Sequence, residues 1–192
     1  MSDIISLEKN QVVSLSKGIN LTKGLFGLGW KPVRRGQRVD LDASCLAIDN
    51  ENNGTEFVFF NRMVGIGGAV SLSGDDLSGA DDGEGANAPD EIITIDLDLI
   101  PDNVEQLLLI VNSFSGQTFG AVQDVFCRVT DYFTHQDVIE YDLDADYAEF
   151  TTVIVGKLSR AFDNASEWEF TAVGKGINSG LKPLLASYDL RV

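Results

Sequence analysis

From Val12 to Val173 the sequence keeps returning to one pattern. Short runs rich in Val, Ile, Leu, Thr and aromatic residues are closed by Gly, Asn, Asp or Ser. Alternating or short apolar runs bounded by turn residues are the mark of strands. Residues 12–15 and 20–22 alternate, and residues 24–30 read as a glycine-rich strand with close neighbours. Residues 39–48 form a long strand candidate. Phe57-Val58-Phe59-Phe60 is apolar on both faces, which predicts a central, fully covered strand. Further strands are expected at 92–97, 107–111, 126–129, 138–141, 151–155 and 168–173. Helical signals are few: one or two turns within 119–126 and a short helix within 179–186. The fold class is mainly β, an antiparallel β-sandwich with a few short helices and an acidic edge. No Pro- or Ser-rich linker divides the chain, so residues 1–192 are expected to form one domain.

Charge narrows the choice of partners. The formal net charge is −16, which repels nucleic acid and anionic membrane surfaces and is compatible with cations. The excess is concentrated. Residues 63–127 contain no Lys or Arg and carry twelve of the 30 acids. A domain that is acidic only for solubility intersperses its acids with Lys and Arg. A segment with no basic residue must repel itself or hold cations.

Two parts of the sequence supply the donors for a cation. Side chains alternate along a strand, so Asp40 and Asp42 share a face while Leu41 takes the other. Asn61 ends the aromatic strand and offers a neutral carbonyl oxygen. The loop 73–91 combines Asp75, Asp76, Asp81, Asp82, Glu84, Asp90 and Glu91 with glycines and other small residues. Calcium takes about six to eight oxygens at roughly 2.3–2.6 Å, and a flexible oxygen-rich loop suits it better than the stricter octahedron of magnesium. One His and two scattered Cys do not make a zinc site. The loop lacks the spacing of an EF-hand, and strands rather than helices flank it. A merely solvated acidic loop stays open as the alternative. Asp96/Asp98 and Asp142/Asp144 read as an exposed strand face. Asp40-Leu41-Asp42-Ala43 recurs as Asp142-Leu143-Asp144-Ala145, too short a repeat to establish a duplicated half-sandwich.

Other chemistry finds little support. Cys45 and Cys127 lie in apolar strand contexts and read as buried free thiols in a reducing cytoplasm. The start has no basic n-region or long apolar run. No stretch approaches the ~18 consecutive apolar residues of a membrane span. An Asp-x-Asp pair can hold metal in a hydrolase or phosphotransferase, but the acidic segment has no base or phosphate-binding Lys or Arg, and no P-loop is present. His135 reads as a surface-loop residue. Ser44 suggests no nucleophile elbow. The basic cluster Lys31, Arg34, Arg35 and Arg38 reads as a solvated loop. An extracellular calcium-dependent adhesion module and a purely structural acidic module are the remaining rivals.

In order along the chain, Val13-Ser14-Leu15-Ser16-Lys17-Gly18, Gly27-Leu28-Gly29-Trp30, Asp40-Leu41-Asp42-Ala43-Ser44, Phe57-Val58-Phe59-Phe60-Asn61, Gly74-Asp75-Asp76-Leu77-Ser78-Gly79 and Asp90-Glu91-Ile92 resemble the TerD-type proteins. Phe119-Gly120, Val155-Gly156-Lys157-Leu158, Trp168-Glu169-Phe170 and 172–176 continue the resemblance over nearly the whole chain. The resemblance implies a cytoplasmic, non-enzymatic calcium-binding β-sandwich associated with tellurite resistance and general stress response. The implied role is a calcium-dependent scaffold for other stress-response proteins of the same family. The implied ligands are Asp40, Asp42, Asn61, Asp75, Leu77 through its carbonyl, Glu84, Asp90 and Glu91, holding about two Ca2+ ions. The stretch 80–89 is longer than in the family, and Asn-Ala-Pro replaces part of its acidic run.

Overall fold

A computed structural model describes residues 4–34, 39–73, 89–143 and 147–191. In chain order its strands are β1 (Ile5–Ser6), β2 (Val12–Ser14), β3 (Lys23–Pro32), β4 (Leu41–Ile48), β5 (Gly54–Val58), β6 (Val64–Gly65) and β7 (Val70–Leu72). They continue with β8 (Glu91–Asp96), β9 (Gln106–Ser113), β10 (Val122–Asp131), β11 (Asp137–Leu143), β12 (Thr152–Ala161) and β13 (Asn164–Ile177). One short helix, α1 (Leu181–Ala186), follows β13.

The strands form two sheets. The first runs β1-β11-β10-β3-β8-β7-β6 and the second β2-β13-β12-β9-β4-β5. β1 lies parallel to β11; the other neighbours are antiparallel. Alternation places Phe26, Leu28, Ile93, Ile95, Cys127 and Val129 of the first sheet against Leu41, Ala43, Cys45, Leu107, Leu109 and Phe170 of the second. The rings of Phe26 and Phe170 meet across this core with centroids 6.1 Å apart. Full burial of each such side chain contributes about 1.5–3 kcal/mol.

The second sheet also carries apolar residues on its outer face. Leu46 and Ile48 of β4, Leu108 and Ile110 of β9, and Ile154 of β12 pack under Leu184 and Leu185 of α1. This explains the unbroken run Leu107–Val111: β9, like β4 beside it, is covered on both faces, by the first sheet and by the helix.

Several sequence expectations change. The run 57–60 does not form a central strand. β5 is the edge of the second sheet, and the chain leaves it at Val58 for a tight turn in which Phe59 and Arg62 exchange backbone hydrogen bonds. Its aromatic character serves the outer face, where Phe57 and Phe59 stack at 5.1 Å, while Phe60 is exposed. Residues 20–22 make no ladder; Leu21 is buried in the lead into β3. In 119–126 one 3-10 turn, Phe119–Ala121, gives way at once to β10. The Asp-Leu-Asp-Ala copies are not equivalent, since Leu41 opens β4 inside one sheet while Leu143 closes β11 in the other. As expected, both cysteines are free and buried.

Candidate functional site

Four strand ends meet at one end of the sandwich: the starts of β4 and β8 and the ends of β9 and β5. Trp30, closing on the core from β3, donates its indole N–H to the Val39 carbonyl at 3.2 Å and fixes the approach to β4. Asp40 immediately precedes β4, its carbonyl accepting the Phe114 N–H, and Asp42 is the second residue of the strand. Leu41 and Ala43 point to the core between the sheets, so Asp42 takes the outer face of the second sheet, in line with Leu46 and Ile48. It is only 6 % exposed.

Directly across the ladder from Asp42 stands Asn112. Its Nδ2 donates to Asp42 Oδ2 at 3.5 Å. That leaves Asn112 Oδ1, which is buried and has no hydrogen-bond partner among the described residues. Ser113 Oγ and Gln117 Oε1, on the same β9 end and the loop after it, are also buried without one. By alternation Ser113, which pairs with Leu41, faces the opposite side from Asn112. The sequence signal for these residues is the polar pair Asn112-Ser113 closing an otherwise apolar run.

Asp90 and Glu91 are engaged by backbone amides. β5 pairs with β4 only from Cys45 onward, so the β4 edge before it is open. Glu91, at the start of β8 in the first sheet, reaches across and accepts the Ala43 N–H at 2.5 Å, and its side chain is buried. Asp90 Oδ2 accepts the Trp30 N–H at 2.7 Å, beyond the point where β3 and β8 stop pairing. Both carboxylates therefore hold the ends of strands together.

Asn61 lies in the exposed turn after β5. Its neighbour Phe60 meets Phe114 edge-on at 5.6 Å, and the Phe114 N–H bonds the Asp40 carbonyl at 3.1 Å. This puts Asn61 at the same end as the aspartates, with no described contact between them. Asp75, Leu77 and Glu84 lie outside the described residues. Among the described residues no three His, Cys, Asp or Glu side chains converge on a metal-sized point. The donor chemistry is nonetheless all oxygen, which excludes a thiolate or imidazole centre.

Elsewhere, of the described residues considered for other chemistry, the two thiols are sealed, some charges are paired and the rest are exposed. Burial pushes the Cys127 thiol up to about 12 and moves Cys45 in the same direction, so neither is a thiolate at neutral pH. His135 is in the exposed turn between β10 and β11. Lys31, next to last in β3, pairs with Asp124 at 3.3 Å; Arg34 is exposed, and Arg35 and Arg38 fall outside the described residues. Asp96 pairs with Lys23 at 3.6 Å, and Asp98 and Asp142 are exposed. No helix among the described residues is long and apolar enough to cross a membrane.

Known proteins place this architecture. The chain is 38 % identical over 182 residues to tellurium resistance protein TerZ of Serratia marcescens, covering 89 % of each chain. It is 36 % identical to stress response protein SCP2 of Bacillus subtilis (strain 168), over 96 % of this chain and 98 % of the relative. A crystal structure of a homologue of telluride resistance protein (TerD) from Streptomyces coelicolor A3(2) shares the fold, with a TM-score of 0.66 and 20 % identity over 86 % of this chain and 94 % of the other. The TerD domain model matches residues 4–188, and the chain belongs to the TerD family of tellurium resistance and stress response proteins.

Proposed function

We propose that this chain is a non-enzymatic calcium-binding protein of the stress response and of tellurium resistance, acting in the cytoplasm as a calcium-dependent scaffold. The observation that carries the calcium reading is Asn112 Oδ1, a buried oxygen without a hydrogen-bond partner among the described residues, beside the buried Asp42 carboxylate. An unsatisfied buried acceptor costs about 1–3 kcal/mol. A cation shared with Asp42 removes that cost and the repulsion between Asp42 and Asp40.

Asp40, Asp42 and Asn112 would hold the ion from the strands. Asp75, Glu84 and the Leu77 carbonyl would do so from the loop, with Asn61, Asp90 and Glu91 at the margin, in an all-oxygen set suited to about two ions. When bound, calcium supplies positive charge beside the segment 63–127, which contains no Lys or Arg. Asp90 and Glu91 meanwhile hold the strand starts in place. The exposed rings of Phe60 and Phe114 stand beside Asp40, which supports a surface for calcium-dependent contact with other proteins of the same response. Two points support the non-enzymatic reading: the relatives are named for resistance and stress response, and both thiols are held protonated by burial.

Calorimetric titration with Ca2+ tests the proposal. Saturable binding with a rising melting temperature is expected, and magnesium should do much less. At calcium about 100-fold above Kd the stabilisation is about 2.7 kcal/mol per site. Asp40→Asn with Asp42→Asn should abolish binding at the strand pair; unchanged binding would remove those two residues from the ligand set. No thermal shift in millimolar calcium overturns the reading.

A further inference from the structure

A second site of opposite charge lies away from the carboxylates. β13 bulges against β12: Ile154 pairs with Lys175 and Gly156 with Ala172, so Val173 and Gly174 together oppose Val155. Gly174 adopts φ +53°, and a Cβ there would lie 2.2 Å from the hydroxyls of both Tyr141 and Tyr147. The Tyr147 hydroxyl donates to the Gly174 carbonyl at 2.9 Å and locks the bulge. Bulges re-aim side chains, and here the residue that follows is Lys175, on the rim of an open depression of about 520 Å3.

A second special backbone, at Asn10, also lines the depression. Asn10, with φ +68°, turns the N-terminal segment back onto β13, donating its N–H to the Ala172 carbonyl at 2.6 Å. This turn presents Lys9, whose Nζ sits 5.7 Å from the centre of the Tyr147 ring. Tyr147, Phe150 and Val173 with Gly174 and Gly176 form the apolar interior, and no described residue lining the depression is acidic.

Among the described cations Lys17, Lys23, Lys31, Arg62 and Arg128 pair with acids, whereas Arg34, Lys157, Arg160, Lys182 and Arg191 make no ion pair among the described residues. Lys9 and Lys175 make none either, and both are exposed where they line the same depression. Two like charges held over an apolar hollow are stabilised by an anion, and a volume of this order suits a small organic ligand. We propose that the depression binds a small organic anion of mononucleotide size. Lys9 and Lys175 take the phosphate, and Phe150 and the neighbouring apolar lining take the flat body. The site uses none of the residues assigned to calcium.

The test is titration of the full chain in EGTA, so that no metal bridges protein and ligand, with AMP, inorganic phosphate and adenosine as probes. AMP is expected to bind saturably in the micromolar to millimolar range, phosphate more weakly, and adenosine weakest. A charge-assisted hydrogen bond is worth enough that Lys9→Gln and Lys175→Gln should each weaken AMP about tenfold. Both residues are exposed, so melting temperatures should not move. No saturation at millimolar AMP overturns the proposal, as does AMP binding that survives in the double variant. Phosphate binding as tightly as AMP would overturn it too, because the apolar lining would then contribute nothing.

Discussion

Glu91 accepts the Ala43 N–H at 2.5 Å, a bond from the first strand residue of one sheet to the open edge of the other. It fixes the distance between β8 and β4 at the end where the acids gather. β5 has already turned away there, and the Ala43 amide has the carboxylate in place of a strand partner.

Replacing Glu91 separates a structural tie from a metal ligand. Glu91→Ala leaves a buried N–H without its acceptor and should cost about 1–3 kcal/mol in urea denaturation without calcium. Glu91→Gln keeps an acceptor oxygen and should recover most of that stability. If Glu91 also coordinates calcium, the Gln variant stays deficient in calorimetric calcium binding; full binding by Glu91→Gln would leave it with the structural role alone.

The bulge at Gly174 makes a sharper stability prediction. Its positive φ and the two tyrosine hydroxyls at 2.2 Å leave no room for a methyl group. Left-handed backbone alone costs a non-glycine residue about 1–2 kcal/mol. Gly174→Ala should therefore lose at least about 2 kcal/mol in denaturant titration. A near-neutral result would mean that the bulge can shift its register.

Arg160 holds the far end of the molecule. Its guanidinium donates to the carbonyls of Val104, Ala165 and Pro101 and lies 4.7 Å over the Trp168 ring. Arg160→Met keeps the aliphatic stem but removes every donor, and about 1–3 kcal/mol of stability should go with them. Arg160→Lys should recover only part, because one ammonium cannot serve three divergent carbonyls.

Stability should change with pH at both extremes. Burial raises Cys127 from 9.0 in the unfolded chain to about 12. The unfolded thiol therefore ionises first, and its stabilising contribution is complete below pH 9 and is lost as pH rises from 9 to about 12. Asp131 moves the other way. Desolvation pulls its pKa up, but the N–H groups of Thr134 and Phe133 and the nearby His135 outweigh it and hold it below 3.8. Its contribution is present above 3.8 and is lost as pH falls below that value. Asp131→Asn should flatten the acid limb measured by thermal melts, and Cys127→Ala the alkaline one. Native Cys45 and Cys127 should label with a thiol reagent only at the rate of unfolding.

Sequence reading recovered most of the long strands, because β-branched and aromatic runs between turn residues are local information. It missed β1, β6 and β7, each two or three residues long, since such short runs pair only because a longer neighbour offers an edge. It read 57–60 as central because both faces are apolar, whereas the second apolar face belongs to stacked rings at a sheet edge. The run 107–111 does lie between two layers, and what covers its outer face is a helix more than seventy residues later.

The candidate site divides in the same way. The acidity of 63–127, the shared face of Asp40 and Asp42, and the family are all written in the order of residues, because charge and alternation are properties of the chain itself. The sheet face that Asp42 occupies, its pairing with Asn112, the reach of Glu91 to Ala43, and the placing of Lys9 and Lys175 around one depression follow from register and from the bulge at Gly174. These relations join residues up to 166 positions apart. Strand pairing within a sheet and the packing of the two sheets bring them together, so no local pattern in the sequence could contain them.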